Sequence, residues 1–106
     1  MSGPLTGVRV VDCTTVVLGP WAAQQLGDLG ADVVKIESPD GDPFRMTAYG
    51  FHGWNRGKRS LVLDLKHADG RAALEDLIRD ADAVVENFRA GVMERLGLGW
   101  DRLRAI

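Results

Sequence analysis

The residues of this 106-residue chain best suited to chemistry lie in four short polar stretches, 14–20, 38–42, 64–67 and 87–91. They bring together two cations (Lys66 and Arg89), an aromatic ring (Phe88) and backbone amides near helix starts, the mixture that a nucleotide and its phosphates require. Any one of them alone reads more simply as a connecting loop, and the weight lies in their convergence. Gly19-Pro20 can offer free N–H groups to a pyrophosphate or simply open a helix, since proline is tolerated in a first turn. A dinucleotide fingerprint needs three spaced glycines after the first strand, and residues 14–19 hold one, although Glu37 sits where such proteins keep a ribose-binding acid. Asn55-Arg56-Gly57-Lys58-Arg59-Ser60 gathers three cations around a glycine; it reads as a phosphate contact or, more simply, as a solvated basic turn. The carboxylates of Asp12, Asp28, Asp64, Asp69 and Glu86 have no partner at an acid/base spacing and read as caps or surface charges. Cys13 has no accompanying base, so it reads as a buried, unreactive thiol. His52 and His67 form no pattern, and Trp21 and Trp100 read as packing residues rather than ligand platforms, with Trp54 set apart because the long loop carries it.

Elements that could position the four stretches follow from periodicity. Residues 8–13 form a β-branched run suited to a buried strand. A helix follows Gly19-Pro20, with Ala22, Leu26 and Leu29 on one face and Gly30 ending it. Residues 32–37 give a second strand, so a right-handed βαβ crossover is expected. Residues 38–60, rich in glycine and proline, read as one long functional loop. A third strand is expected over 61–65, a helix over 68–80 with Leu74, Leu77, Ile78 and Ala81 inward, and a fourth strand over 83–86. Short helical pieces are expected over 91–96 and 100–106, and because the chain stops within the last of them, a truncated protein is expected. The fold class is α/β, a Rossmann-like open parallel sheet with flanking helices, in which the ligand crevice lies beyond the carboxyl ends of the strands.

Composition sets the outer limits. A chain of this length supports one domain. Hydrophobic residues at 45% and charged residues at 26% are those of a folded soluble protein rather than a disordered one. A formal net charge of −2, with both signs dispersed, argues against nucleic acid or an anionic membrane as partner. One cysteine permits no internal disulfide, and with two histidines it is too little for a zinc site. With no basic-then-apolar leader and no apolar run long enough to span a bilayer, a cytoplasmic location is expected.

In their order, these segments resemble the amino-terminal part of family III CoA transferases, the CaiB/BaiF group that also contains acyl-CoA racemases. The resemblance runs from Pro4-Leu5, Gly7-Val8 and Asp12-x-Thr14 through Gly19-Pro20, Leu29-Gly30-Ala31-Asp32-Val33-Val34-Lys35-Ile36-Glu37 and Gly41-Asp42. It continues through Asn55-Arg56-Gly57-Lys58-Arg59-Ser60, Leu63-Asp64-Leu65-Lys66, Gly70-Arg71 and Ala81-Asp82-x-Val84-Val85-Glu86-Asn87-Phe88-Arg89 to Gly91-Val92-Met93-x-Arg95-Leu96-Gly97. It implies that residues 1–106 are the CoA-binding part of a longer enzyme that forms an interlocked homodimer. By position, Val17 and Leu18 would touch the ligand, Leu63, Asp64, Leu65 and Lys66 would flank adenine and phosphates, Asn87, Phe88 and Arg89 would line the crevice, and Arg95 would pair with phosphate. Ser38 stands where many relatives have arginine, Leu18 where they often have alanine, and Ala90 where they usually have proline.

The implied chemistry moves coenzyme A from an acyl-CoA donor to a carboxylic acid. An aspartate attacks the thioester, giving a mixed anhydride and then an enzyme-bound CoA thioester that the acceptor displaces. That aspartate falls beyond residue 106 in the family, so no catalytic residue and no metal is assigned here, and the 106 residues alone are expected to be inactive. Coenzyme A enters as a substrate, not as a permanently bound cofactor. Two other readings stand beside this one: an acyl-CoA racemase or isomerase of the same superfamily, and a non-catalytic nucleotide-binding or dimerisation module. A dinucleotide-dependent oxidoreductase is disfavoured by the missing glycines.

Overall fold

A computed structural model of the protein describes residues 2–47 and 50–106. Its centre is a four-stranded, all-parallel sheet in the order β3-β2-β1-β4, made of β1 (Arg9–Cys13), β2 (Asp32–Glu37), β3 (Arg59–Val62) and β4 (Ala83–Glu86). Crossovers run through α1 (Leu18–Asp28) between β1 and β2, and through α3 (Ala68–Arg79) between β3 and β4. α4 (Val92–Arg95) and α5 (Trp100–Ala105) complete the chain. The chain moves outward from β1 to β2 and β3, then returns to the other side of β1 to lay down β4. Strand order therefore reverses between β1 and β4, where open parallel sheets form their crevice.

Period-2 alternation sorts the strand residues onto two faces. Val11, Cys13, Val34 and Ile36 face α3 and the carboxyl-terminal segments, packing with Leu74, Ile78, Met93 and Leu98. Val10 and Val33 face α1 and pack on Ala23, with Leu26, Ala31 and Val85 around them. The same alternation places Asp12, Lys35 and Glu37 on the α1 side, and all three are buried. Towards the carboxyl ends of β1 and β2, that face is ionic rather than apolar.

Several boundaries differ from those expected. The stretch 38–60 is not one structureless loop: it contains a 3₁₀ turn (Pro43–Met46) and a short helix, α2 (Gly50–Asn55), and β3 already begins at Arg59. Asp42 opens the 3₁₀ turn by accepting the Phe44 N–H, and Pro43 supplies the fixed backbone angle of its first residue. Ala48 and Tyr49, inside the expected loop, lie outside the described residues, as does Met1. β3 stops at Val62 rather than 65. Leu63 N–H still reaches the Glu37 carbonyl, but Asp64 then accepts the Lys66 N–H and turns the chain into α3. In α1 the helical period holds but the buried face is shifted, and of the three residues expected inward Leu26 packs on the core. Pro20, Ala23 and Gln24 are buried, whereas Ala22 and Leu29 face outward. α3 buries Leu74 and Ile78 as expected.

Candidate functional site at the carboxyl ends of the strands

The loop from Thr14 to Val17 leaves β1 at the point of strand-order reversal, and side chains from four segments hold it. Asp12 Oδ1 accepts the Thr14 N–H at 2.9 Å and also meets the Thr14 hydroxyl. Lys35 Nζ donates to the Thr14 carbonyl at 3.0 Å. Asn87, just past β4, accepts the Thr15 N–H at 3.1 Å and donates to the Thr15 carbonyl at 2.9 Å. Asp42, from the loop after β2, accepts the Val16 N–H at 3.3 Å. Clamped in this way, Val16 adopts φ +78°, a left-handed conformation that is costly for a β-branched residue and persists only where surroundings over-determine it. Gly19 completes the turn into α1: a Cβ there would stand 2.5 Å from the Thr14 Cβ, so only glycine lets the helix start lie against the strand end.

Beneath this loop lies the ionic half of the sheet face. Lys35 and Asp42 face each other at 2.8 Å with side chains almost fully buried, a contact of charges rather than an aligned hydrogen bond. Lys58 Nζ spends its three protons on Asp12 Oδ2 at 2.7 Å, the Pro20 carbonyl at 2.8 Å and Asn55 Oδ1 at 2.8 Å. Arg45 donates to both oxygens of Glu37 at 2.7 Å, Ser60 adds a bond at 2.6 Å, and the Asp42 N–H adds another at 2.9 Å. Three cations balance three carboxylates, as burial of charge demands. The Arg45 guanidinium, helped by Ser60 and the Asp42 amide, pulls the Glu37 carboxyl down to about 2 against the opposing effect of burial. Burial lowers the Lys58 pKa, and the Asp12 carboxylate works against that. Burial first, then the neighbouring Asp12 and Glu86, push the Cys13 thiol up to about 12, which leaves it inert as a nucleophile.

This overturns several expectations from sequence. Lys58 is neither a phosphate contact nor part of a solvated turn; it is buried under the β1 loop. Its neighbours Arg56 and Arg59 pair with Asp28 and Asp32 on the outside. Asp12 is not a surface charge, and Glu37 has both oxygens committed internally, so neither cap nor ribose contact describes them. Sequence did carry a signal for this cluster: Asp12, Lys35 and Glu37 sit at same-face positions of otherwise apolar strands, and charges there require buried partners.

The remaining candidate residues lie on the segments that follow the strands. Val17 precedes α1 as a half-buried residue without a capping side chain, and Leu18 is exposed. Ser38 is exposed directly after β2. Leu63 and Leu65 pack partly against the core, while Asp64 and Lys66 between and beside them are exposed. Gly70 makes this turn possible, since a Cβ there would fall 2.0 Å from the Asp64 carbonyl oxygen. Phe88 packs against the core, Arg89 is exposed, and the Arg95 guanidinium stands over Gly91. The structure thus brings the 14–18 loop and Asn87 into contact. Lys66 lies at the far edge, three strand spacings or about 14 Å from β4.

Charge sorts along the same line. Of the thirteen lysines and arginines, eight are paired with a carboxylate. Among the described residues, Lys66, Arg71, Arg89, Arg95 and Arg104 have no carboxylate partner. Arg71 instead caps the Leu65 carbonyl at 3.0 Å, and Arg104 lies 5.7 Å from the Trp100 ring centre. Lys66, Arg89 and Arg95, all carried by segments that follow strand ends, keep their charge uncompensated.

Fold and charge together define an open parallel α/β unit with unpaired cations on segments that follow β3 and β4. A family model described as CoA-transferase family III matches residues 5–106. The succinate–glutarate CoA-transferase of Agrobacterium fabrum is 42% identical over 118 aligned positions, covering 97% of this chain and 30% of that protein. The succinyl-CoA:mesaconate CoA-transferase of Haloarcula hispanica is 46% identical, covering 96% of this chain and 29% of its own length. A CaiB/BaiF family protein from Brucella suis has a solved structure that superposes with a TM-score of 0.95 at 40% identity, over 99% of this chain and 31% of that one. The chain belongs to CoA-transferase family III. It spans about 30% of the length of the relatives it matches.

Proposed function

We propose that residues 1–106 seat the nucleotide end of coenzyme A in an enzyme that moves coenzyme A from an acyl-CoA donor to a carboxylic acid acceptor. The observation that carries this reading is the set of unpaired cations, Lys66, Arg89 and Arg95, on segments that follow the carboxyl ends of β3 and β4. A ligand bearing several phosphates is the natural counterion for charges so placed, and helix starts at the same rim offer further amide donors. The relatives' names add donors and acceptors of the acyl-CoA and carboxylic acid kind.

In this reading, Val17 and Leu18 approach the ligand from the β1 side, and Ser38 lies between the two edges. Leu63, Asp64, Leu65 and Lys66 flank adenine and phosphate at the β3 edge. Phe88, Arg89 and Arg95 line the β4 side. Asn87 serves chiefly by tying the β4 loop to Thr15, because its amide is already committed there. The covalent step belongs to an aspartate outside these residues, so the isolated segment binds but does not turn over. Coenzyme A is substrate rather than resident cofactor, and the enzyme works as a cytoplasmic homodimer. Calorimetric titration of coenzyme A into the protein and into Lys66→Ala and Arg95→Ala variants tests the seat. Each variant is expected to weaken binding by about 1–3 kcal/mol. Unchanged affinity in both would sink the assignment.

A further inference from the structure

We infer that Lys58 positions the ligand without touching it, by fixing the shape of the 14–17 loop; this rests on the coenzyme A reading above. With its side chain 2% exposed, Lys58 cannot reach anything in the crevice. Its three protons are spent on acceptors that flank the loop on both sides. Asp12 is the last residue but one of β1, and Pro20 lies in the first turn of α1. Through Asp12, whose other oxygen holds the Thr14 N–H, the contact continues into the loop itself. Asn55 fixes the ammonium from the third side, so the α2 end and both loop flanks meet at one nitrogen.

A loop that holds a β-branched residue at φ +78° relaxes when its anchors are lost. Thr15, Val16 and Val17 would then leave the rim geometry that the ligand meets. The arrangement suits a lysine in particular: a compact ammonium delivers three divergent protons, whereas the planar fork of arginine does not.

The test is made in the full-length protein. Lys58→Met removes the ammonium but strands the buried Asp12 carboxylate, so loss of stability is expected and does not by itself speak to positioning. The double variant Asp12→Asn/Lys58→Met removes both charges while keeping an acceptor oxygen for Thr14. Three readouts are compared with the unaltered protein: the thermal midpoint, amide hydrogen exchange at Thr15 and Val16, and calorimetric affinity for coenzyme A. In the double variant, stability is expected to return most of the way. Exchange at the two amides should quicken, and coenzyme A should bind about tenfold more weakly or worse. A purely structural Lys58 predicts instead that affinity returns along with stability. Native affinity in the stable double variant, or weakened affinity with unchanged amide protection, overturns the inference and leaves the coenzyme A reading standing. Failure of the unaltered protein to bind coenzyme A removes that reading, and this inference with it.

Discussion

Glu37→Gln should cost the protein about 2 kcal/mol at pH 7 and almost nothing near pH 2. In the folded state the Glu37 carboxyl lies near 2 against an ordinary value of 4.5, chiefly because of the two Arg45 bonds. At about 1.4 kcal/mol for each tenfold change in proton affinity, the ceiling on its contribution is about 3 kcal/mol. Arg45 is 46% exposed on its side chain, so water screens the pair and the working figure falls to about 2 kcal/mol. The sign follows from the depressed value. Stability from Glu37 is fully present above pH 4.5 and drains away as pH falls through the window down to about 2, where the folded form also takes up the proton. Glutamine keeps an acceptor oxygen for the Asp42 amide but has no charge to titrate. Urea unfolding, followed by tryptophan fluorescence at pH 7, 4 and 2.5, gives the difference between the two proteins, in which other carboxylates cancel. A gap that stays constant across the three pH values, or no gap at pH 7, would refute the assignment of Glu37 to this ion pair.

Two further outcomes follow from the same geometry. Gly19→Ala should destabilise the protein by about 1–3 kcal/mol in chemical denaturation, because its Cβ would meet Thr14 at 2.5 Å and the strand end cannot yield; a neutral result would show that α1 does not start against Thr14. Cys13, buried and with its thiol pushed up to about 12, should resist a disulfide-exchange reagent at pH 8 until the protein unfolds. Rapid labelling of the native protein would place Cys13 at an accessible strand end instead.

Much of the sheet is legible in sequence because its central strands are written in β-branched residues. β1 and β2 are buried on both faces, and their runs of valine and isoleucine announce this. β3 is harder to place because it is an edge strand with all four residues exposed, so burial leaves no mark on its composition. For α1 the period is visible but the buried face is shifted, since Pro20 and Gln24 occupy core-facing positions that a hydrophobic pattern assigns elsewhere. The rim candidates could be named from motif order, whereas their relation to one another could not. Lys66 and Asn87 are separated by the sheet order, which is a tertiary fact.

The ionic cluster was the least legible part, and its physics explains why it belongs under the loop after β1. Asp12 and Lys58 are 46 residues apart in sequence, and they meet only because register sets Asp12 opposite Lys35 and Lys35 opposite Ser60. An apolar filling of the same volume would commonly be as stable or more so, because desolvating Asp12, Lys35, Glu37, Asp42 and Lys58 offsets much of the attraction among these charges. Apolar side chains, however, have no directional bonds with which to hold a backbone loop. Here Asp12, Lys35 and Asp42 each reach upward to a backbone group of residues 14–16, and Lys58 and Glu37 orient Asp12 and Asp42 from below. Neutrality matters as well: three cations against three carboxylates leave no net charge beneath the loop. An anion at the rim is then attracted by Lys66, Arg89 and Arg95 and not repelled by the core. On the proposed coenzyme A reading, removing one buried carboxylate would therefore alter ligand affinity twice, through the loop's shape and through the uncompensated charge left below it.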